Sequence, residues 1–290
     1  MHEWLARLFN LGVYGISVLL LFRLACRLFD RLTALFTTFF YSIAPLTVFS
    51  THSFQPDALM SVCSLAAIYY FLDWTENHRT RNLVLSALGF SLAVLIKPLS
   101  LYLGLPLLYL AYRRFGWQLF RQPAIWLFWL GAVLPGILWY WHALGLWKSY
   151  GNTFGVLAGH VKVGPWSLTD SRWVSLGYRL VTRLIYEIAT PAGFLFLLYG
   201  LFLKPLRRNY VLYWWALAFA ITFVLTPAAH RGHDYYQLPL VFVTAGFMGV
   251  AAARIWTQHF LLRCAVRADP SQGPDDVYLR PLALHVLWAL

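Results

Sequence analysis

Nine stretches of this 290-residue chain contain no Lys, Arg, Asp or Glu: 8–22, 32–56, 58–72, 82–96, 98–112, 122–147, 188–203, 209–230 and 235–253. A helix of about 20 apolar residues crosses the roughly 30 Å of hydrocarbon in a bilayer, and shorter runs reach that length when flanking polar residues extend to the interface. Long alternation of apolar and polar residues is absent, which argues against a membrane barrel. The expected fold is all-α: a polytopic transmembrane helix bundle of about nine membrane helices with an interfacial outer loop. Composition agrees, with 60% hydrophobic and 12% charged residues, about half the roughly 25% charge of soluble chains. It excludes disordered, coiled-coil and collagen-like chains and a soluble enzyme.

The segment 82–112 needs a decision. As one helix it would measure about 46 Å, too long for the hydrocarbon core. Lys97-Pro98 lies at its midpoint, and proline opposes an uninterrupted helix. Two short spans turning there also keep the basic loops on a common face. That face then carries Arg23, Arg27, Arg31, Arg79, Arg81, Arg113, Arg114, Arg121, Lys204, Arg207, Arg208, Arg254, Arg263 and Arg267, most of the 23 basic residues. An excess of this kind marks the cytoplasmic side. The net charge of +12 is therefore read as loop asymmetry rather than a nucleic-acid surface. Cys26, Cys63 and Cys264 fit no metal or redox spacing.

The opposite, outer face receives 50–57, the Lys97 turn, the long loop 146–187 and the loop 228–234. The N-terminus also falls outside, and its MHEWLAR start lacks the basic character of a signal peptide. This arrangement suggests a helix upstream. Residues 1–254 form the expected membrane domain, and 255–290 an irregular or cytoplasmic tail.

Each outer polar group has two readings. Asp57, in Ser53-Phe54-Gln55-Pro56-Asp57, suits the first turn of a helix begun by Pro56, where a carboxylate complements the dipole. It is equally an outward carboxylate able to bind or deprotonate a substrate. Lys97 is a snorkelling lysine at a helix end, or a cation for a phosphate at the membrane surface. The stretch His230-Arg231-Gly232-His233-Asp234-Tyr235-Tyr236 is an aromatic-belt loop, or an anion site in which Arg231 and the histidines donate and the tyrosines stack on a sugar. As a metal motif it is weak, and no metal or cofactor is expected. The loop 146–187, with Lys148, His160, Lys162, Asp170, Arg172, Arg179 and Arg183 among three tryptophans, reads as an amphipathic segment lying on the membrane.

Three stretches resemble the polyprenyl-phosphate-dependent glycosyltransferases of the C-type superfold, specifically bacterial relatives of protein O-mannosyltransferases and of the aminoarabinose transferase of lipid A. They are the helices around Ala44-Pro45 and Gln55-Pro56-Asp57, the run Gly89 to Lys97-Pro98, and His233-Asp234-Tyr235-Tyr236-Gln237-Leu238-Pro239. The resemblance implies transfer of a sugar from a polyprenyl-phosphate donor to a lipid, glycan or protein acceptor outside the inner membrane. By the same resemblance Asp57 matches an outer acidic position of the family, Lys97 its turn lysine, and His233 to Tyr236 its late outer loop. The expected site therefore comprises Asp57 as an accessory acid, Lys97, Arg231 and His233 toward the donor phosphate, and Tyr235 and Tyr236 toward sugar or lipid. It also implies an N-terminal helix and an acid-bearing outer loop ahead of the segment matching 8–27, which these residues do not include. Two other functions fit the sequence: a catalytically inactive membrane subunit or remnant, and a transporter or flippase for a lipid or anion. A transporter more often places its ionisable groups at the midplane of two related halves.

Overall fold

The structure is a computed structural model that describes residues 3–53, 55–151, 166–167, 169–203 and 210–267. Twelve α-helices follow one another without a strand among the described residues: α1 (Glu3–Leu28), α2 (Arg31–Ile43), α3 (Pro45–His52), α4 (Pro56–Asn77), α5 (Thr80–Ile96), α6 (Gly104–Phe115), α7 (Pro123–Tyr150), α8 (Arg172–Arg183), α9 (Pro191–Phe202), α10 (Val211–Leu225), α11 (Pro227–Gly232) and α12 (Leu238–Arg267). Among the described residues, each of the nine uncharged runs is mostly helical. The protein is a polytopic helical bundle, as expected.

Among the described residues, four helical segments are long and apolar enough to cross a membrane, 7–28, 56–77, 123–150 and 235–260, fewer than the nine runs suggest. Two bent pairs raise the number to six, and Thr80–Ile96 and Val211–Leu225 are shorter apolar helices. Proline accounts for the breaks. The run 32–56, expected as one span, bends by 59° between α2 and α3. There Ala44 is extended (φ −60, ψ 124) ahead of Pro45, because the proline ring crowds the preceding residue out of the helical region. The run 188–203 belongs to a second bent pair, folded by 106°. Its corner is Thr190 before Pro191, held at φ +66, a conformation rare for a branched residue. The Thr190 hydroxyl accepts from the Gly193 amide at 3.2 Å and caps α9.

The break at Lys97-Pro98 falls where the sequence places it. Helix α5 ends at Ile96, Lys97 is extended (φ −146, ψ 121), and a 3₁₀ turn, Pro98–Leu103, leads into α6.

The core is built around α4, α5 and α12. Helices α4 and α5 approach closely at Gly89: a Cβ there would lie 3.0 Å from the Cys63 carbonyl and 3.1 Å from the Ala67 amide. Ser86 adds a hydrogen bond to the Ala67 carbonyl at 2.7 Å. Gly249 brings α12 just as close to the backbone of Thr37 on α2. Small residues at such crossings let apolar helices associate by contact where lipid supplies no hydrophobic drive. By contrast α7 lies at the periphery and presents Trp126, Leu127, Leu130 and Trp141 outward, as a lipid-facing helix does.

Within this frame α1 and α4 run parallel, with α5 antiparallel to α4. Arg27, Asp73 and Asn82 therefore meet at one end of the bundle, whereas Asp57, Lys97 and Tyr236 meet at the other. Arg114 and His78, 2.7 Å apart, share the Asp73 end. That is the clustering expected for the basic loops, as far as the described residues reach. Lys204, Arg207, Arg208, His160, Lys162 and the tail 268–290 lie outside them. Helix α12 continues past residue 254 to Arg267, so the expected boundary between membrane domain and tail falls within a helix.

Candidate functional site

Pro56 and Asp57 occupy the first turn of α4, the position at which a carboxylate complements the helix dipole. The carboxylate does more than complement a dipole. It is buried, 2% exposed as a residue, and forms an ion pair with the Lys97 ammonium from the end of α5. Charges buried this deeply persist only with a close partner. The two readings of Asp57 thus merge: the turn that caps the helix also delivers the acid to the lysine.

The loop before α12 closes over the pair. The Lys97 Nζ lies 4.3 Å from the ring centroid of Tyr235 and 4.3 Å from that of Tyr236, a cation–π arrangement on two rings. The tyrosines stack at 5.0 Å, and His233 stacks on Tyr235 at 4.9 Å with planes 25° apart. Asp234 caps the short 3₁₀ turn Tyr235–Gln237 by accepting from the Tyr235 amide at 2.9 Å. Asp57, Lys97, His233, Tyr235 and Tyr236, singled out from separate parts of the sequence, therefore form one cluster.

Arg231 departs from that cluster. It lines an open hollow of about 320 Å³ with Arg172 and Arg179 of α8, Trp166, Ala228 and Gly232. Arg172 is held there by a bidentate pair with Asp170 and stacks over Trp166 at 4.5 Å. The arginine hydrogen bonds hold the half-buried Asp170 carboxyl below its usual range. Of the loop 146–187, residues 152–165 and 168 lie outside the described residues, and α8 buries Leu176 and exposes Arg172, Tyr178 and Arg179.

The two histidines of the loop also separate. His233 is exposed, whereas His230 is 1% exposed and packs between Phe219, Phe223 and Tyr236. His230 sits on α11, outside the candidate spans, and burial pushes its imidazole down to about 4, with the Arg183 charge acting in the same direction. Among the described residues no three His, Cys, Asp or Glu converge as a metal-binding set.

Arg183 was not singled out as a site residue. Its guanidinium donates to the His230 carbonyl at 2.7 Å, the His233 carbonyl at 3.3 Å and the Gln237 side-chain oxygen at 3.3 Å. It fixes the loop that carries the two tyrosines. Nothing local in sequence announces this role, because its partners lie 47 to 54 residues away.

Residues 1–141 match the family described as dolichyl-phosphate-mannose-protein mannosyltransferase, so the resemblance read from the sequence is borne out. No curated protein matches the sequence. Among solved structures the fold is similar to that of ArnT from Cupriavidus metallidurans bound to undecaprenyl phosphate, with a TM-score of 0.63 and 17% identity over 91% of this chain. The chain spans about half, 49%, of that protein's length.

Proposed function

We propose that the protein is a membrane glycosyltransferase, or the membrane part of one, that takes a sugar from a polyprenyl-phosphate donor and passes it to an acceptor on the outer side of the membrane. The observation that carries this reading is the buried Asp57–Lys97 pair under Tyr235 and Tyr236, at the end of the bundle away from Arg27 and Arg114. The family match over residues 1–141 and the ArnT-like fold support it.

The chemistry follows from the charges. In sugar transfer the acceptor oxygen bonds to the anomeric carbon, the bond from that carbon to the phosphate oxygen breaks, and the acceptor loses a proton. Asp57 is the carboxylate that orients the acceptor hydroxyl or takes its proton. The departing polyprenyl phosphate gains charge, and fixed cations stabilise it. Lys97, half-buried beside Asp57, is the candidate for that role. Because it is already paired, the phosphate must share it with Asp57, so donor binding loosens the carboxylate as it engages the lysine. Arg231, with Arg172 and Arg179, offers a second and more open cationic station, since guanidinium forks suit phosphate oxygens. His233, Tyr235 and Tyr236 form the aromatic wall beside the sugar.

The test is transfer of a labelled sugar from a polyprenyl-phosphate donor by the native protein in its own membranes, compared with Lys97→Ala and Asp57→Asn. The expected result is transfer by the wild type and none by either variant, with normal membrane insertion. Transfer at the normal rate by Lys97→Ala would sink the assignment. If the wild type moves labelled lipid across the bilayer without breaking its glycosidic bond, the protein is a flippase; if it does neither, it is an inactive subunit.

A further inference from the structure

Helix α5 ends against a proline, so its own chain cannot close its last turn. The Lys97 amide bonds to the Ala93 carbonyl at 2.9 Å. The next carbonyl, that of Val94, would take the amide of residue 98, and Pro98 has none. An unpaired carbonyl is costly wherever lipid or packed side chains exclude water. Tyr140 of α7 fills the gap. Its hydroxyl donates to the Val94 carbonyl at 3.2 Å and to the Leu95 carbonyl at 3.3 Å, one proton shared between two acceptors as is common at helix ends.

The contact beside this bond is equally specific. Helices α5 and α7 lie side by side in the same direction, with Phe90 against Trp129 at 5.9 Å and Val94 against Gly136. A Cβ on Gly136 would lie 2.7 Å from Val94 Cγ1, so a larger residue would push the helices apart. Gly136 and Tyr140 are four residues apart and share one face of α7. Around them Ile137, Leu138, Trp139 and Trp141 are exposed, whereas Tyr140 is half-buried and turned toward α5. A helix that otherwise faces lipid thus sends one hydroxyl inward, to the end that carries Lys97.

We propose that Tyr140 is a positioning residue for Lys97: its hydroxyl stands in for the amide that Pro98 lacks and, with Gly136 seated on Val94, fixes the last turn of α5. Lys97 follows that turn in an extended conformation (φ −146, ψ 121). Its reach toward Asp57, Tyr235 and Tyr236 therefore starts from the point that Tyr140 holds. Once released, this end lets the lysine swing away from the carboxylate and from any phosphate it serves. The hold on the lysine does not depend on the glycosyltransferase reading; its consequence for turnover rests on that reading.

Tyr140→Phe deletes the hydroxyl and keeps the ring. Modification of Lys97 by an amine-reactive reagent in native membranes, read by peptide mass against the exposed Lys148, measures how often the lysine leaves Asp57. Tyr140→Phe should speed it about 5-fold, the factor that one typical hydrogen bond supplies. Ser86→Ala is the control. It removes another hydrogen bond of α5, to the Ala67 carbonyl at 2.7 Å, about three turns before Lys97, and should leave Lys97 as protected as in the wild type. Unchanged protection in Tyr140→Phe, or equal loss in Ser86→Ala, overturns the proposal. Gly136→Ala, which pushes α7 off Val94, should raise modification with Tyr140 in place, and the double variant should add little to either change. Fully additive effects would contradict a single latch. In sugar transfer, Tyr140→Phe should lower kcat per folded molecule by up to about 100-fold with KM within about 2-fold, and Ser86→Ala should change neither. Equal falls in the two variants would reduce Tyr140 to a packing residue. Absence of transfer in the wild type would count against the proposed function and leave the Lys97 modification to decide the role of Tyr140.

Discussion

Helix α4 carries a buried carboxylate near each end, and the two are treated differently. Asp73 is saturated: it pairs with Arg27 and accepts from Asn82 and, at 2.8 Å, from Asn77. Arg27 also reaches Glu76 at 3.0 Å. Each of these partners is a neighbour in a closed network, and the Asp73 end reads as a clasp between α1, α4 and α5. Asp57 instead meets, among the described residues, a single lysine, on the side where the wall is two aromatic rings and a small cavity rather than amides. Fully satisfied polar networks rigidify a fold, whereas a lone buried pair retains capacity to exchange partners. The same charge chemistry on one helix thus yields a structural joint and a candidate reactive centre.

The sharpest way to break this contrast is to remove each pair in turn. Lys97→Ala leaves Asp57 buried and uncompensated. It should abolish transfer and cost about 3–5 kcal/mol of stability if nothing relaxes. The paired change Asp57→Asn with Lys97→Met removes both charges together. It should restore most of the stability, read by thermal unfolding, and none of the transfer. Recovery of transfer in that double variant would show that the pair is only a joint, like its counterpart.

Asp73→Asn provides the mirror experiment. It removes the charge that Arg27 faces and weakens a network in which Arg27 is partly exposed, so a loss of about 2 kcal/mol is expected. Turnover per folded molecule should stay at the wild-type level. A large fall in kcat with unchanged unfolding temperature would make the Asp73 end functional as well, and the contrast between the ends would fail.

Acid tests the Asp57 end through His230. An imidazole held near 4 in the folded protein and near 6.5 in the unfolded chain binds protons more readily when unfolded. Stability is therefore full above pH 6.5 and declines as pH falls from 6.5 toward 4. The loss attributable to this group approaches about 3 kcal/mol at the lower limit. His230→Phe should flatten that part of the profile in an unfolding series, with Arg183, the charged group facing the imidazole, left in place. An unchanged slope would mean that the imidazole is solvated and not sealed behind Tyr236.

How much of this was legible in the sequence depends on the range of the interaction concerned. Apolar runs and proline breaks act over a few residues, so the helices and the turn at Lys97-Pro98 could be read directly. The bend within 32–56 was missed because counting charges ignores Ala44-Pro45, although that dipeptide carries the signal. Asp57, Lys97 and the tyrosines were legible as isolated polar positions, since charges near a bilayer need a reason. Their convergence, the clamp made by Arg183 and the separation of His230 from His233 were not. These depend on which helix packs beside which, and no periodicity in the chain encodes it.

The smallest expected effect lies furthest from the pair and asks how large the functional end is. Arg231 opens into the hollow with Arg172 and Arg179, and Arg172 is already matched by Asp170. Two guanidinium groups therefore remain to meet an anion, more than the single charge of the donor's phosphodiester and about the charge of the phosphate monoester released by transfer. A half-buried cation facing an open hollow contributes mainly to encounter and is screened by salt. Arg231→Gln should raise KM for a polyprenyl-phosphate donor by about 5-fold at low salt, with kcat unchanged and the difference shrinking toward 0.5 M salt. A fall in kcat instead would draw the hollow into the same reacting centre as Asp57. No effect at any salt concentration would confine the functional end to the buried pair and its aromatic wall.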